Sequence, residues 1–495
     1  MINNISFDTM IAHHAILSEK GVPHDLAFIG STYTPIPFYK DDVKGEDNFA
    51  LLPDRTLRTY NCRDCLVVGL AAPTLDQEID EYGVRKIFKQ DMAMIRPILR
   101  MQEKGVLINK TLLEKKRKEL DEKVIESEAD LKKILGSRFN PGSNAHVADL
   151  LFKDLNLIPI AKTRTGLPKV DFDSIVQLAD QVSGAIEPLF HTIIDFRRAK
   201  KKLKTYYKEF ILDHSGRVHS QFLIHVTPTG RLSSRSPNLQ NFPESDREIF
   251  IPRPGYIFIS RDYNQIEIRI LAIITNDKKI LHLFSIGEDI HTYNAIELFS
   301  ILRSQVKETH RHIAKTFMYG GVIYGGTAAT IRRQILSYAL QSGNVSMNEV
   351  PSIKQIENSQ NNWFINHPNI VSYQRSIEKE VLQTRKITTP LGRVRYFLGR
   401  REDIVREAYN TPIQGTASDI INPAFIELDK IIREPAGIVI QCHDELLFEV
   451  PINMKDEVIE LSKVVMEKPI EINGQKHVFP TSCKVGYSWK TLEKI

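Results

Sequence analysis

The sequence predicts a mixed α/β fold in which a helix-rich arm is joined to a body of strands and helices. Residues from about 90 to 212 show helical spacing with charged outer faces. From about 218, apolar or alternating runs such as YIFISRDY indicate strands, and residues 275–385 return to helix. With 495 residues, the chain is also too long for one compact core, so we expect several domains.

The composition is that of an ordinary globular protein, with 42% hydrophobic and 26% charged residues. We find no run of eighteen apolar residues and no secretory signal, so no membrane span is expected. Four cysteines are few for this length, which suits a reducing compartment. The pair Cys62 and Cys65 lacks a second pair or nearby histidines, which argues against a metal or redox role.

Two acidic positions lie among apolar residues. GIVIQCHDELLFEV (Gly437–Val450) is predicted as one buried strand with Asp444 in its middle, and FISRDYNQIEIRILA places Asp262 at a strand end. A buried carboxylate is costly unless it is paired or binds a metal. Two such strands would bring Asp262 and Asp444 to two Mg²⁺ ions about 4 Å apart, as in phosphoryl transfer. The alternative is two acidic surface turns, against which the apolar flanks argue.

Three further segments carry polar residues in helical register. Arg311, Lys315 and Tyr319 would share one helix face, suited either to a triphosphate and a base or sugar, or simply to solvent. The run RRAKKKLK (Arg197–Lys204) fits either a solvated face or a helix that follows phosphates, and the net charge of +5 does not decide between them.

A second helical face repeats this spacing in VREAYNTPIQGTASD. Arg406, Asn410 and Gln414 would offer donors to groove edges and phosphates. The alternative is a short helical turn that Pro412 breaks.

Together these segments resemble the family A DNA polymerases, the group related to bacterial DNA polymerase I, over roughly residues 90 to 495. TGRLSSRSPNLQNFP (Thr229–Pro243) resembles the template-primer segment, and RDYNQIEIR resembles motif A. RHIAKTFMYG resembles motif B on the fingers helix, and HDE resembles motif C. The motifs occur in the order of the family, which a chance coincidence does not explain.

The resemblance implies a right-hand polymerase preceded by a partial ribonuclease H-like 3′–5′ exonuclease module. The expected segments are the exonuclease-like module (1–92), the thumb with the start of the palm (93–225), the palm (226–274), the fingers (275–404) and the palm again (405–495). The implied function is template-directed DNA synthesis with Mg²⁺, or Mn²⁺ as a substitute. The implied partners are primer-template DNA and deoxynucleoside triphosphates, in the cytoplasm of a bacterial or phage-infected cell and without a membrane.

The resemblance also implies a role for each matched residue. The metal ligands would be Asp262, Asp444 and the backbone carbonyl of Tyr263, with Glu445 beside them in the catalytic group. The nucleotide would be bound by Gln265, Glu267, His291, Arg311, Lys315 and Tyr319; of these, Lys315 is also a candidate proton donor and Glu267 would exclude a 2′-hydroxyl. The primer-template would be held by Arg231, Asn241, Arg406, Asn410, Gln414 and His443. The basic run Arg197–Lys204 would lie on the thumb and follow phosphates.

Three positions in the motifs differ from the family pattern. Asn264 stands where the family usually has Ser. Tyr324 follows Tyr319 by five residues rather than four, with Gly320 and Gly321 between them, so the helix is expected to loosen or end there. Tyr319 in place of Phe suggests poor rejection of dideoxynucleotides.

The N-terminal segment resembles only the second half of the exonuclease. TYNCRDCLVV supplies Tyr60 and Asp64 of the third exonuclease motif, and FDTMIAHH resembles the segment after the second. The other acidic positions have no counterpart before them. We therefore expect no proofreading by this chain alone: either the chain is a truncated form, or a second polypeptide supplies the missing half. An isolated half-domain would expose apolar surface, which favours the second polypeptide.

Two alternatives to the DNA polymerase remain at this stage. A single-subunit RNA polymerase would share the palm, but Glu267 and QGTASD argue against it. A catalytically inactive DNA-binding scaffold is opposed by the presence of Asp262, Asp444, Arg311 and Lys315.

Overall fold

The structure, a computed structural model, describes residues 5–43, 52–163, 165–179, 187–208, 210–342 and 349–495. Its α-helices are α1 (Thr9–Ile16), α2 (Leu26–Tyr33), α3 (Asp54–Glu81), α4 (Arg85–Ala93), α5 (Ile95–Lys104), α6 (Lys110–Leu135), α7 (Asn144–Asp149), α8 (Phe172–Ala179), α9 (Glu187–Lys202), α10 (Ile266–Thr275), α11 (Lys278–Ser285), α12 (Ile290–Phe299), α13 (Glu308–Thr316), α14 (Ala328–Ser342), α15 (Ile353–Asn366), α16 (Pro368–Thr384), α17 (Arg401–Ile431) and α18 (Lys455–Met466).

The strands are shorter than most of the helices. They are β1 (Val106–Leu107), β2 (Arg217–Val218), β3 (Gln221–Leu223), β4 (Ser233–Arg235), β5 (Tyr256–Tyr263), β6 (Lys386–Thr388), β7 (Val394–Tyr396), β8 (Gly437–Cys442), β9 (Glu445–Pro451), β10 (Ile470–Ile472), β11 (Gln475–His477), β12 (Thr481–Gly486) and β13 (Glu493–Lys494). The predicted mixture of helices and strands is confirmed.

The chain divides into two compact units. The first contains Met1–Leu107, His219–Thr275 and Tyr373–Ile495, and the second contains Ile108–Val218 and Asn276–Ser372. Residues 373–404, which we expected to belong with the fingers, are thus grouped with the first unit. The division into thumb, palm and fingers stays a prediction.

A five-stranded antiparallel sheet organises the first unit, in the order β13-β12-β5-β9-β8. Ile257, Phe258 and Ile259 of β5 are all buried, although successive residues of a strand point to opposite faces. Helix α18 packs against β5, β9 and β12. The near-continuous apolar runs of the sequence therefore belong to strands whose two faces are both covered.

The N-terminal part of the first unit is helical. Helices α1 and α2 pack against α3, and Asp8 caps α1 by accepting a hydrogen bond from the backbone of Ile11. The described residues between 5 and 92 contain no strand, so the likeness of this segment to a ribonuclease H-like exonuclease stays a prediction. Leu66 and Leu70 are exposed on α3, in line with the exposed apolar surface that we expected.

The second unit consists mainly of packed helices. Helix α6 packs along α9, α12 along α13, and α14 against both α8 and α15. Arg197 on α9 points inward, because its guanidinium donates to the carbonyls of Pro141 and Val170 at 3.0 and 2.6 Å. The expectation that the whole basic run follows phosphates is therefore wrong at Arg197, whereas Lys200 and Lys204 are exposed.

None of the described helices combines the length and the apolar character needed to cross a membrane.

Candidate functional site

The HDE segment forms a hairpin turn rather than the middle of one strand. Strand β8 ends at Cys442, β9 begins at Glu445, and these two residues pair across the hairpin. His443 has a φ of +59°, a left-handed conformation that His adopts more readily than most residues. The expectation of a continuous strand is wrong because an apolar run without Gly or Pro does not reveal where the chain reverses.

The sheet brings this turn to the end of β5. Asp262 pairs with Glu445 across β5 and β9, and the backbone N–H of Tyr263 donates to the carbonyl of Asp444 at 3.2 Å. The ring of Tyr263 is buried, and its hydroxyl donates to the carbonyl of Met466 at 2.7 Å. Asp262 and Asp444, far apart in the sequence, are therefore on adjacent strand ends.

The side chain of Glu445 is anchored away from the turn. Its Oε1 accepts hydrogen bonds from Ser260 at 2.7 Å and from the indole N–H of Trp489 at 3.2 Å. Arg247 approaches its Oε2 at 3.9 Å. The carboxylate of Glu445 is thus held by side chains of β5 and of the C-terminal segment.

The environment of Asp444 disfavours its charge. Loss of solvent raises the pKa of Asp444 to about 6, and the nearby carboxylates of Glu267 and Glu445 add to this effect, whereas Arg231 opposes it. Arg231 also donates to Oε1 of Glu267 on α10. A cation near Asp444 would relieve this electrostatic strain.

Several predicted site residues carry buried polar atoms that lack a hydrogen-bond partner. Among the described residues, these include Oε2 of Glu267, Nδ1 of His291 and Oδ1 of Asn410. Such atoms are rare in native proteins and often indicate a missing water, ion or ligand.

His443 lies at the hairpin turn and is exposed. Desolvation lowers the pKa of His443 to about 4, and the positive charges of Arg231 and Arg247 contribute in the same direction. The imidazole is therefore neutral at physiological pH.

The second predicted face lies on one long helix. Helix α17 continues through Pro412 and carries Arg406, Asn410 and Gln414 at intervals of four residues. The alternative of a turn broken at Pro412 is therefore wrong. Arg406 is exposed, and Asn410 and Gln414 are half-buried.

The Thr229–Pro243 segment lies in the same unit. Gly230 has a φ of +74°, and its carbonyl accepts from Asn422 of α17 at 3.1 Å. Asn241 is exposed beyond this turn.

The basic face of α13 belongs to the second unit. Nε of Arg311 donates to Asp289 at 2.9 Å and to Oγ1 of Thr292 at 3.2 Å, while Nη1 donates to Glu308 at 2.8 Å. Lys315, one turn further along α13, is exposed. The two cations therefore share a face as predicted.

His291 and Tyr319 lie close together in this unit, with ring centroids 6.0 Å apart. Burial lowers the pKa of His291 to about 4, Asp289 opposes this shift, and Lys315 and Arg311 reinforce it.

The extra residue between Tyr319 and Tyr324 is absorbed by a π-helix. The helix changes from α to π over Phe317–Ile323, and the N–H of Tyr324 donates to the carbonyl of Tyr319 at 3.0 Å, five residues back. The helix was predicted to loosen or end at Gly320 and Gly321. It widens there into π-helical turns and ends after Ile323.

In the predicted exonuclease remnant, a lysine side chain binds the carboxylate of Asp64. Nζ of Lys40 donates to Asp64 at 2.6 Å and to the hydroxyl of Tyr60 at 2.8 Å. The hydroxyl of Tyr39 also donates to Asp64. The carboxylate of Asp64 is therefore already neutralised.

Two buried arginines were missed by the sequence reading. Arg393 binds Asp91 and Asp419, and Arg395 binds Glu19 and Glu407. The motif TPLGRVRYF gave the only signal, since two arginines two residues apart in a strand point to the same side. Nothing in the sequence indicated their acidic partners.

In the part of the chain that the structure describes, no group of three or more His, Cys, Asp or Glu side chains is placed to hold a metal ion by itself. The candidate donors are the carboxylates of Asp262 and Asp444, which the backbone of β5 and of the hairpin turn places at neighbouring positions. Mg²⁺ is typically bound by one or two carboxylates together with substrate phosphates, so this donor set fits it.

The sequence matches the family model of DNA polymerase family A over residues 110–491. The chain therefore belongs to this family.

Several curated relatives are bacterial DNA polymerases I. That of Treponema pallidum is 28% identical over 505 residues, which cover 98% of this chain and 48% of that protein. That of Caldicellulosiruptor bescii is 32% identical over 415 residues, covering 80% of this chain and 46% of that protein. The chain thus spans about half the length of the curated relatives it matches.

A solved structure is also similar. It is the POL domain of Pol1 from M. smegmatis in complex with DNA primer-template and dNTP, with a TM-score of 0.79 and 27% sequence identity. The match covers 98% of this chain and 82% of that one.

Proposed function

We propose that this chain catalyses template-directed DNA synthesis, adding deoxynucleotides to a primer 3′-hydroxyl. One observation carries the proposal: the sheet brings Asp262 and the turn residue Asp444 to adjacent strand ends. Membership of DNA polymerase family A and the similarity to a polymerase domain solved with primer-template and dNTP support it.

Asp262, Asp444 and the carbonyl of Tyr263 would hold Mg²⁺, for which Mn²⁺ is a substitute. When bound, such ions neutralise charge on the reacting phosphate and on the attacking and leaving oxygens. The raised pKa of Asp444 supports this role, because an uncompensated carboxylate there is destabilised. Glu445, tied to Ser260 and Trp489, would keep the hairpin turn in place rather than ligate directly.

We propose nucleotide-binding roles for residues of motif A and motif B and for His291. Arg311 and Lys315 would bind the triphosphate, since their face of α13 presents two cations one turn apart. Lys315 would also protonate the leaving pyrophosphate. Tyr319 would pack on the sugar, with neutral His291 beside it. Nδ1 of His291 has no hydrogen-bond partner within the described part of the chain and is available to a ligand. Gln265, the last turn residue before α10, would assist them.

Glu267 would select a deoxyribose. Its side chain is buried, with Oε1 held by Arg231 and Oε2 lacking a hydrogen-bond partner among the described residues. A rigidly held carboxylate leaves little room for a 2′-hydroxyl.

The primer-template would be held by polar residues of the first unit. They are Arg231, Asn241, Arg406, Asn410, Gln414 and His443. The three that lie on α17 are one turn apart, which suits a groove followed along the helix. The neutral His443 would lie near the primer terminus without adding charge.

We further propose that the chain alone does not proofread. A two-metal nuclease site needs carboxylates that are open to ions, whereas Asp64 is bound by Lys40 and Tyr39. A second polypeptide that completed the site would have to displace Lys40.

Primer extension on a defined template tests the proposed function. We expect extension with deoxynucleoside triphosphates and Mg²⁺, none after chelation, and little with ribonucleoside triphosphates. Exclusive use of ribonucleotides would instead assign the chain as an RNA polymerase. DNA binding without any extension would indicate a scaffold.

A further inference from the structure

The segment Ser18–Lys20, between α1 and α2, contacts the elements that carry the proposed DNA-binding residues. The hydroxyl of Ser18 lies 3.3 Å from the carbonyl of Pro228 and 3.4 Å from that of Val394. Pro228 directly precedes the Thr229–Pro243 segment, and Val394 begins β7. Ser18–Lys20 thus packs against the start of the template-primer segment and against the β6–β7 hairpin.

Glu19 extends this contact to α17 through a buried arginine. Nε of Arg395 donates to Oε2 of Glu19 at 3.1 Å, and Nη1 donates to Oγ1 of Thr411 at 3.1 Å. The third nitrogen, Nη2, donates to Glu407. Because Glu19 and Arg395 are 7% and 3% exposed, this pair is shielded from solvent.

The α17 residues that bind Arg395 are sequence neighbours of the residues proposed to contact DNA. Glu407 follows Arg406, and Thr411 follows Asn410. The side of α17 that contacts Arg395 is therefore next to the side that is proposed to face DNA. Arg395 therefore contacts α17 directly beside the residues proposed to face DNA.

A second acid–arginine cluster fixes the neighbouring turn. Arg393 is bound by Asp91 at 3.0 Å and by Asp419 of α17 at 2.7 Å. A Cβ added to Gly230 would lie 2.4 Å from the guanidinium carbon of Arg393, so the turn before Arg231 rests on this guanidinium. Asp91, like Glu19, comes from the N-terminal helical part of the unit.

We infer that Glu19 is a positioning residue for primer-template binding, acting through Arg395 on α17. The inference rests on the proposed function, and it gives the N-terminal segment a role that does not depend on nuclease chemistry. Glu19 touches no DNA in this account. It holds the guanidinium that sets the orientation of the helix from which Arg406 and Asn410 project.

The central experiment compares Glu19→Gln with wild type. The amide keeps the shape but removes the charge opposite Arg395. We expect the Kd for primer-template, measured by fluorescence anisotropy, to rise about tenfold, the effect of losing one good contact. At saturating DNA, kcat and the KM for the nucleotide remain those of wild type, and Glu19→Asp restores part of the affinity.

Glu78→Gln is the matched control, since Glu78 lies in the same helical part and accepts from Tyr33 of α2 at 2.9 Å, a contact within that part. We expect its Kd to equal that of wild type. A double variant, Glu19→Gln with Asn410→Ala, separates positioning from general loosening. Because both changes act through α17, their effects on Kd are expected to be less than additive.

Lys20→Ala keeps the inference testable if Glu19→Gln does not fold. Lys20 is largely exposed and binds Glu407 at 2.8 Å, so its removal is tolerated by the fold and is expected to weaken DNA binding about twofold. An unchanged Kd in folded Glu19→Gln would overturn the inference. Full additivity of the effects on Kd in the double variant would overturn it as well. If Glu19→Gln does not fold, an unchanged Kd in Lys20→Ala would overturn it. If instead wild type neither binds nor extends a primer, the proposed function itself fails.

Discussion

Tyr263 donates its backbone N–H to the carbonyl oxygen of Asp444 across 3.2 Å. This bond joins the end of β5 to the turn of the β8–β9 hairpin, and with it two acids that are distant in the sequence. The chemistry proposed for the chain depends on this junction.

Asp444→Asn is expected to abolish primer extension, by about a thousandfold or more, because several kcal/mol of charge stabilisation depend on the carboxylate. The fold should be retained or become more stable, since the raised pKa shows that the protein destabilises the charged form. Extension assays and thermal unfolding measure the two effects. Asp456→Asn, on an exposed carboxylate, is the control, and near-normal activity of Asp444→Asn would contradict the proposed site.

Acid is expected to destabilise the first unit through its cluster of histidines. Nδ1 of His13 lies 2.7 Å from Nδ1 of His24, and the rings of His14 and His24 are 5.1 Å apart. Burial lowers the pKa of His24 from 6.5 to about 4, with His13 and His225 adding to the shift. The pKa values of His13, His14 and His225 are lowered as well, again mainly by burial.

The lowered pKa values determine whether acid stabilises or destabilises the fold. In the unfolded chain these histidines take up protons near pH 6.5, whereas folded His24 resists protonation until about pH 4, so its contribution to stability is present above pH 6.5 and is lost as the pH falls towards 4. The charged neighbours do not reverse this: Arg393 and Arg235 also disfavour protonation, whereas Asp8 and Asp25 favour it but are outweighed by burial. Urea unfolding across this range should show the loss, and His24→Gln should reduce its slope. Equal slopes would show that the cluster does not control acid stability.

Gly326→Ala should destabilise the second unit more than Gly320→Ala does. A Cβ at Gly326 would lie 2.4 Å from the backbone carbonyl oxygen of Gly320, which cannot move without disturbing the π-helix. A Cβ at Gly320 would meet only the end of the Gln334 side chain, which can rotate away. We expect a loss of about 1–3 kcal/mol for Gly326→Ala, typical of overpacking, and less for Gly320→Ala. Chemical denaturation of both variants decides the order.

Tyr319→Phe is expected to reduce chain termination by dideoxynucleotides. The expectation follows from the resemblance to family A polymerases, in which this position lies at the incoming sugar. Primer extension with mixed deoxy- and dideoxynucleotides measures the ratio of incorporation for both proteins. Equal sensitivity of wild type and variant would refute it.

Purified chain is expected to show no Mg²⁺-dependent trimming of a primer 3′ end. The reason is that Lys40 occupies the carboxylate of Asp64 at 2.6 Å. End-labelled primer incubated without nucleotides reports the activity, and Asp64→Asn serves as the control. Trimming that disappears in Asp64→Asn would show that the remnant is active.

The local patterns of the sequence were sufficient to predict several elements. The spacing of Arg406, Asn410 and Gln414 indicated a shared helix face, and the five-residue interval from Tyr319 to Tyr324 indicated a disturbed helix. The structure confirms both, the second as a π-helix. Such features are predictable because helical periodicity and glycine content act over a few neighbouring residues.

The sequence by itself determined which residue types are available: the acids at 262 and 444, the cations at 311 and 315, and the motifs that place the chain in its family. Only the tertiary structure decided that HDE is a hairpin turn, that Glu445 is tied to Trp489, and that Glu19 supports Arg395. These relationships join residues far apart in the chain, and they depend on how the sheet and helices pack. A local pattern records the period and the chemistry of a segment, but not the partner against which it will be buried.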